Sequence, residues 1–265
     1  LVETGSKNLV LSGGYMLNCV ANYFYLDGLK EDGIEIYVEP ISNDAGTAIG
    51  AALMFWHDMM PNFKHDYSKD GLYLGFEYHY TDSDINKYKE SHDAEITDAT
   101  HADVVDLLLD KKIIGLYQGK SEHGPRALGN RSLLADPRGT TVKDKVNEIK
   151  HRQKFRPFAP VIMAEHADKY FEMPVEESPY MQFTARCKYP EQFPAIVHAD
   201  GTSRVQTVTY DQHPGLYTLL RRWYRETGCP MLLNTSLNIK GMPMVNDIND
   251  AYAFEEKYGV KVVIS

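Results

Sequence analysis

The chain lacks any hydrophobic run long enough to cross a bilayer. Its longest apolar stretch, Ala48 to Trp56, has nine residues including one glycine, against the roughly 20 that a spanning helix needs. No long apolar segment follows a basic start, so Leu1 to Lys7 do not read as a signal peptide. Leu1 stands where an initiator methionine would, which predicts a processed or trimmed chain. Cysteine is scarce. Cys19, Cys187 and Cys229 are odd in number and scattered, with no CxxC spacing, which excludes a disulfide scaffold and a structural zinc site and predicts a reducing, cytoplasmic setting. The ten histidines form no HxxxH or HExxH pair, so a metal site built from protein ligands alone is not written in this chain. Neither a nucleophile elbow nor a pair of catalytic carboxylates is visible.

What is present is an ordinary globular composition. The 265 residues are 43% hydrophobic and 25% charged, with a net charge of −9. This suffices for one large domain or two modest ones. The acidic balance disfavours a general nucleic-acid binder, whose affinity rests on phosphate neutralisation. The charge is uneven, however. From Lys112 to Arg156 eleven Lys and Arg face four acids, giving +7 and leaving −16 on the other 220 residues. A local cationic patch on an acidic protein suits a small anion better than a polyanion. A solvated helix face is the plainer reading of the same charges.

Periodicity predicts an α/β (mixed α+β) fold. Asn8 to Leu11 reads as a strand, followed by Ser12-Gly13-Gly14 and a helical pattern through Met16, Leu17, Val20 and Phe24. Ile34 to Val38 reads as a second strand, and Asn43-Asp44-Ala45-Gly46 leads into a small-residue helix from Thr47 to Trp56. Residues 58 to 98 are polar with little periodicity and read as a connection. Thr100 and Asp103 form an N-cap signature for a helix over Ala102 to Leu109. Strands are predicted at Ile113 to Tyr117, Ala159 to Ala164, Met181 to Ala185, Val205 to Thr209, Met231 to Leu233 and Val260 to Ile264. Helices are predicted at Thr141 to Arg152, Pro214 to Thr227 and Asp247 to Tyr258. The Pro214 helix has Pro at its first turn and Gly228 beyond its end.

Five stretches can carry chemistry. The Gly13-Gly14 pair between strand and helix lets backbone N–H groups approach a phosphate, with Asn18 one turn further on; a plain tight turn explains the glycines equally well. Asp44 at the mouth of the second turn suits a metal or a nucleotide phosphate, or simply a helix N-cap. Gly119-Lys120-Ser121 is one residue short of a Walker A loop. The better reading of that segment sets Arg126 and Arg131 on a glycine-bounded loop stiffened by Pro125, because planar guanidinium groups grip phosphate and carboxylate oxygens bidentately. Lys150, Arg152 and Arg156 flank Phe155 and Phe158 and read as cations at the edge of a packed core. Asn234-Thr235-Ser236 is a polar knot after a buried strand, where α/β sheets place ligand groups. His123 and His151 sit inside the basic constellations.

These stretches, in this order, resemble the carbamoyltransferases of the NodU/CmcH type, which modify nodulation factors, cephalosporins and aminoglycosides. Glu122-His-Gly-Pro-Arg-Ala-Leu-Gly-Asn-Arg-Ser-Leu-Leu-Ala-Asp-Pro-Arg138 is the most specific piece, and Lys150 to Pro160 and Asn234 to Asn238 support it. The resemblance implies a partial actin-like (RNase-H-like) nucleotide- and metal-binding domain over residues 1–60, a linker over 61–99, and a YrdC-like carbamoyl phosphate-binding domain with a twisted sheet over 100–265. It implies carbamoyl phosphate and ATP as reactants, a carbamoyl-adenylate intermediate, and transfer to a hydroxyl of a small acceptor. By resemblance Gly13, Gly14 and Asn18 meet ATP, and Asp44 meets a divalent metal, iron in the family. Arg126, Lys150 and Arg156 are the expected catalytic cations around carbamoyl phosphate, joined by Arg131, Arg152 and Asn234. The family's remaining metal ligands, an HxxxH pair and a further Asp, are absent here, so the chain is expected to be the C-terminal portion of such an enzyme. Its expected partners are small molecules, together with the missing N-terminal half or a second copy, and neither a membrane nor nucleic acid. The alternative is a module that binds a nucleotide or phosphorylated ligand without chemistry.

Overall fold

The computed structural model describes residues 3–62, 71–92, 97–111 and 113–264. Lys112 of the basic segment, and residues 63–70 and 93–96 of the expected connection, lie outside them. The fold is mixed α/β.

The first elements build a small parallel sheet. Strands β1 (Asn8–Leu11) and β2 (Glu35–Val38) pair in parallel, joined by a 3-10 turn (Gly14–Leu17) and helix α1 (Cys19–Leu29). The helical pattern predicted through Met16 is thus interrupted, because Asn18 accepts N–H bonds from Val20 and Ala21 at 3.1 and 3.3 Å and restarts the helix as its N-cap. Helix α2 (Gly46–Met59) follows and buries none of its residues; Leu53, Met54, Phe55, Trp56 and Met59 are all exposed.

The stretch expected to lack periodicity contains α3 (Asp82–His92), whose start is held by Thr81 and Asp84. After β3 (Thr97–Asp98), helix α4 (His101–Lys111) begins at the anticipated cap. There the Thr100 N–H and hydroxyl donate to Asp103 Oδ2 at 2.9 and 2.6 Å. The chain continues through β4 (Ile113–Tyr117), β5 (Arg131–Ala135), α5 (Thr140–Ile149), β6 (Ala159–Met163), α6 (Ala164–Tyr170), β7 (Phe171–Glu172), β8 (Thr184–Cys187), β9 (Thr202–Arg204), β10 (Gln206–Val208), α7 (Pro214–Thr227), β11 (Met231–Ser236), α8 (Ile248–Tyr258) and β12 (Val262–Ile264).

Seven strands form one mixed sheet in the order β10-β6-β11-β5-β4-β12-β3, and β7-β8-β9 form an antiparallel sheet beside it. Strands β4, β5 and β6 are buried along their whole length. Helices cover both faces, so alternate residues are apolar on either side. Val142 and Val146 of α5 and Phe254 of α8 pack with Leu133 and Leu233 on one face. Leu108 of α4 and Leu220 and Trp223 of α7 pack with Leu134 and Leu232 on the other.

Several boundaries differ from expectation for local reasons. The Met181 strand starts only at Thr184, since Met181 has φ 59°, which a strand cannot hold. The strand expected over Val205 to Thr209 is β10, shortened to Gln206–Val208, with Val205 separating it from β9 of the other sheet. Helix α5 stops at Ile149 rather than Arg152, because His151 turns to φ 46°.

Candidate functional site

Two clusters emerge. The first surrounds a cavity of about 460 Å³ lined by Ser12, Gly13, Gly14, Ser42, Asn43, Asp44, Thr47 and Gly50 among others. Gly13 and Gly14 thus share one pocket with Asp44. Asn18 is not among its lining residues, and its side-chain carbonyl is committed to capping α1. The Asp44 side chain makes no cap on α2, whose N-terminus has no side-chain cap bond, so the helix-cap reading of Asp44 does not hold. The neighbouring Asn43 Oδ1 is buried without a hydrogen-bond partner. Among the described residues no group of three His, Cys, Asp or Glu comes together. One carboxylate and one amide oxygen do not make up the coordination sphere of a metal, so the expected metal does not fit the ligands present.

The second cluster is cationic. The guanidinium of Arg126, on the loop between β4 and β5, donates to the Leu17 carbonyl at 2.9 Å. Burial pulls its pKa down. Arg152 sits over the Phe158 ring at 4.0 Å and donates to Asn147 Oδ1 at 2.8 Å. Burial, reinforced by Arg156, pulls it down to about 10. Arg156 is exposed, as is Phe155 at 76%, so the expected packed edge is made by Phe158 alone.

Arg204 of β9 joins these three, and the sequence reading missed it. Burial first, and then repulsion from Arg126, Arg152 and Arg156, lowers Arg204 to about 10, and its Nε is buried without a hydrogen-bond partner. The sequence signal was a lone Arg just before the strand expected at Val205. Among the described residues, the ion pairs Arg138–Asp136 and Arg186–Glu172 lie elsewhere. Cys19, the first residue of α1, lies within the field of Arg204 and Arg126, yet burial still pushes its thiol up.

Lys150 enters from the end of α5. Its Nζ donates to the Ser236 carbonyl at 2.8 Å and to Ser236 Oγ and the Asn238 carbonyl at 3.2 Å, and it also meets Asn238 Oδ1. Burial, with Arg152 adding repulsion, pulls its pKa to about 8. Asn234 on β11 donates through Nδ2 to the Ala127 carbonyl (3.1 Å) and to Gln206 Oε1 (2.8 Å), while its Oδ1 is buried and unpartnered. Arg131 has a different setting. It is fully buried, stacks over the Tyr117 ring at 3.7 Å, and donates to the carbonyls of Gln118 (2.7 Å), Asn130 (2.9 Å) and Gly119 (3.1 Å). Those donors hold the base of the loop.

The arrangement is a set of guanidinium groups with spare donors, all but Arg156 partly withdrawn from water, and with no carboxylate partner among the described residues. Such a set has the chemistry to accept a phosphorylated or carboxylated small molecule. The sequence comparisons agree in class: the chain belongs to the carbamoyltransferase family, of the NodU/CmcH type. The family model described as Carbamoyltransferase C-terminus matches residues 105–265, and Carbamoyltransferase N-terminus matches residues 1–53.

Among individual relatives, nodulation protein NolO of Bradyrhizobium diazoefficiens is 38% identical over 257 residues, covering 94% of this chain and 46% of the relative. A 3'-hydroxymethylcephem-O-carbamoyltransferase of Amycolatopsis lactamdurans is 34% identical over 258 residues, covering 97% of this chain and 47% of the relative. The crystal structure of T. kodakarensis HypF is similar with a TM-score of 0.43 at 19% identity, over 62% of this chain and 20% of that one. The chain spans less than half the length of these relatives.

Proposed function

We propose that this chain carries the carbamoyl phosphate site of an O-carbamoyltransferase, which uses carbamoyl phosphate and ATP to carbamoylate a hydroxyl of a small-molecule acceptor. In this reading residues 1–60 belong to an actin-like nucleotide-binding domain, 61–99 connect, and 100–265 form a YrdC-like domain. The observation that carries it is the cluster of Arg126, Arg152, Arg156 and Arg204, with no carboxylate among its described hydrogen-bond partners and with a buried Nε on Arg204 left unsatisfied.

In the proposed sequence, the arginines and Lys150 hold the phosphoryl oxygens and take up charge on the leaving phosphate. Asn234 Oδ1 has an open acceptor position suited to the carbamoyl amide N–H. Water cleaves carbamoyl phosphate to carbamate and phosphate. Carbamate then attacks the α-phosphorus of ATP, releasing pyrophosphate and forming carbamoyl-adenylate. The acceptor hydroxyl takes the carbamoyl group, releasing AMP and a proton. Gly13 and Gly14 line the pocket suited to the nucleotide. The apolar side chains exposed on α2 support a further part of the family's N-terminal domain covering that face.

Calorimetric titration of carbamoyl phosphate tests the reading. Binding that is lost in Arg126→Ala, accompanied by phosphate release from the wild-type enzyme, is the expected result. Binding without phosphate release, even with the N-terminal half supplied, favours the non-catalytic module; wild-type and Arg126→Ala proteins that behave alike overturn the site.

A further inference from the structure

The loop that carries Arg126 is closed on itself by one side chain. Glu122 is 6% exposed, and a single carboxylate oxygen, Oε1, accepts three backbone N–H groups: Leu128 at 2.6 Å, Asn130 at 2.9 Å and Arg131 at 3.3 Å. Residues 122 to 128 therefore form a ring, with Gly124, Pro125, Arg126 and Ala127 on its circumference. Gly124 and Gly129, at φ 116° and 124°, supply bends that other residues resist. At Gly129 even the space is closed, since a Cβ would lie 2.5 Å from a Leu216 methyl.

The root of the ring is anchored as firmly. The Gly75 N–H donates to the Ser121 carbonyl at 3.0 Å, and the His123 N–H donates to the Leu72 carbonyl at 2.7 Å, so the residues flanking Glu122 are both pinned. The loop's carbonyls are also taken. Ala127 accepts from Asn234 Nδ2, Leu128 from Gln206 Nε2 at 2.9 Å and from the Tyr73 hydroxyl at 3.1 Å, and Gly129 from Gln118 Nε2 at 2.9 Å. With Glu122 absent, three buried N–H groups in one stretch would lose their acceptor together.

We infer that Glu122 is the positioning residue of the anion site: its carboxylate fixes the loop so that the Arg126 guanidinium stands among the other arginines before a ligand arrives. This rests on the anion reading of the cluster given above. Glu122 touches no substrate in this scheme; it acts through the backbone of Leu128, Asn130 and Arg131. Its other oxygen, Oε2, is buried and accepts nothing among the described residues. A glutamine can therefore keep the accepting oxygen and set its amide nitrogen on the unused side.

The test compares the 265-residue wild-type chain with E122Q and E122A, using amide hydrogen exchange together with titrations of inorganic phosphate and carbamoyl phosphate. In E122A the amides of Leu128, Asn130 and Arg131 are expected to exchange at least about ten-fold faster, and both ligands to bind at least about ten-fold more weakly. The amides of β11, four of whose residues are buried, should stay protected and so report an intact sheet. E122Q should keep protection and affinity within about three-fold of wild type. Unchanged loop protection and affinity in E122A overturn the inference. So does E122Q failing as badly as E122A with β11 exposed in both, which would make Glu122 a general stabiliser. If E122A loses local protection while the wild-type chain binds neither ligand, the closure stands and the anion reading falls.

Discussion

Arg126 Nη2 lies 2.9 Å from the Leu17 carbonyl oxygen, joining the anion-site loop to the last residue of the turn that follows Gly13 and Gly14. The join is reinforced. Asn22, fully buried on α1, donates to the Met16 and Gln182 carbonyls at 2.8 and 2.9 Å, and Gln182 Nε2 donates to the Val38 carbonyl at 2.6 Å. His123 Nε2 lies 3.1 Å from the Ala45 carbonyl, next to Asp44. The pocket of Gly13 and Asp44 and the arginine cluster are therefore held in register by side chains bonded to main chain across the two parts.

Arg204→Gln separates affinity from stability. Removing a charge-assisted contact should weaken carbamoyl phosphate binding about 10- to 100-fold by calorimetry. The thermal midpoint should hold or rise, since the substitution relieves repulsion among Arg126, Arg152, Arg156 and Arg204. Unaltered affinity would show that the ligand does not reach Arg204.

Arg131→Met should give the reverse pattern. Three carbonyls lose their donor, and the Tyr117 ring loses its cover. A loss of about 3 kcal/mol is expected from breaking a buried polar network, or on the order of 10 °C in melting temperature for a chain of this size. Scanning calorimetry measures it. A melt like that of wild type, with ligand affinity lost, would place Arg131 in the ligand site instead.

In the proposed reading Lys150 sets a pH limit on anion binding. Its pKa is depressed to about 8, so the cation is present below that pH and lost above it. Carbamoyl phosphate affinity should fall as pH rises from 7 to 9, and Lys150→Met should be weak throughout and flat over that range. An equally steep fall in the methionine variant would assign the titration to another group.

His213 makes the fold acid-sensitive. Its Nδ1 accepts the Leu216 N–H at 3.1 Å, capping α7, which leaves Nε2 to donate to Asn130 Oδ1 at 2.8 Å. Burial lowers the imidazole to about 4. Between the unfolded value near 6.5 and that folded value, the unfolded chain binds the extra proton, so stability falls as pH drops through this window. The full effect reaches about 3 kcal/mol at roughly 1.4 kcal/mol per unit. His213→Asn keeps a capping oxygen, and its urea midpoint should depend less on pH than that of wild type between 6.5 and 4.

The parts legible in the sequence are those governed by local rules. The α4 cap at Thr100 and Asp103, Pro214 opening α7, and the continuous apolar runs of β4 and β11 each follow from neighbours a few residues apart. The glycine-bounded loop was legible as a cation carrier because Arg126, Gly124 and Pro125 lie in one stretch. Arg204 was not, since a single Arg on a three-residue strand gains meaning only when β9 brings it to Arg126. Arg131 and Arg126 are alike in sequence. Burial over Tyr117 separates the residue that builds the loop from the one that projects out of it. The change of sheet at Val205 was hidden too, because Ser203-Arg204-Val205-Gln206 holds no glycine or proline to mark it.

Strand β12 is inserted between β4 and β3, parallel to both. During synthesis the large sheet therefore stays split until residues 262–264 have left the ribosome. Joins between such distant parts of a chain form slowly. The interior thus waits on β12, and a chain halted shortly before Val262 would expose the edges of β4 and β3 together, making it a substrate for chaperones and proteases.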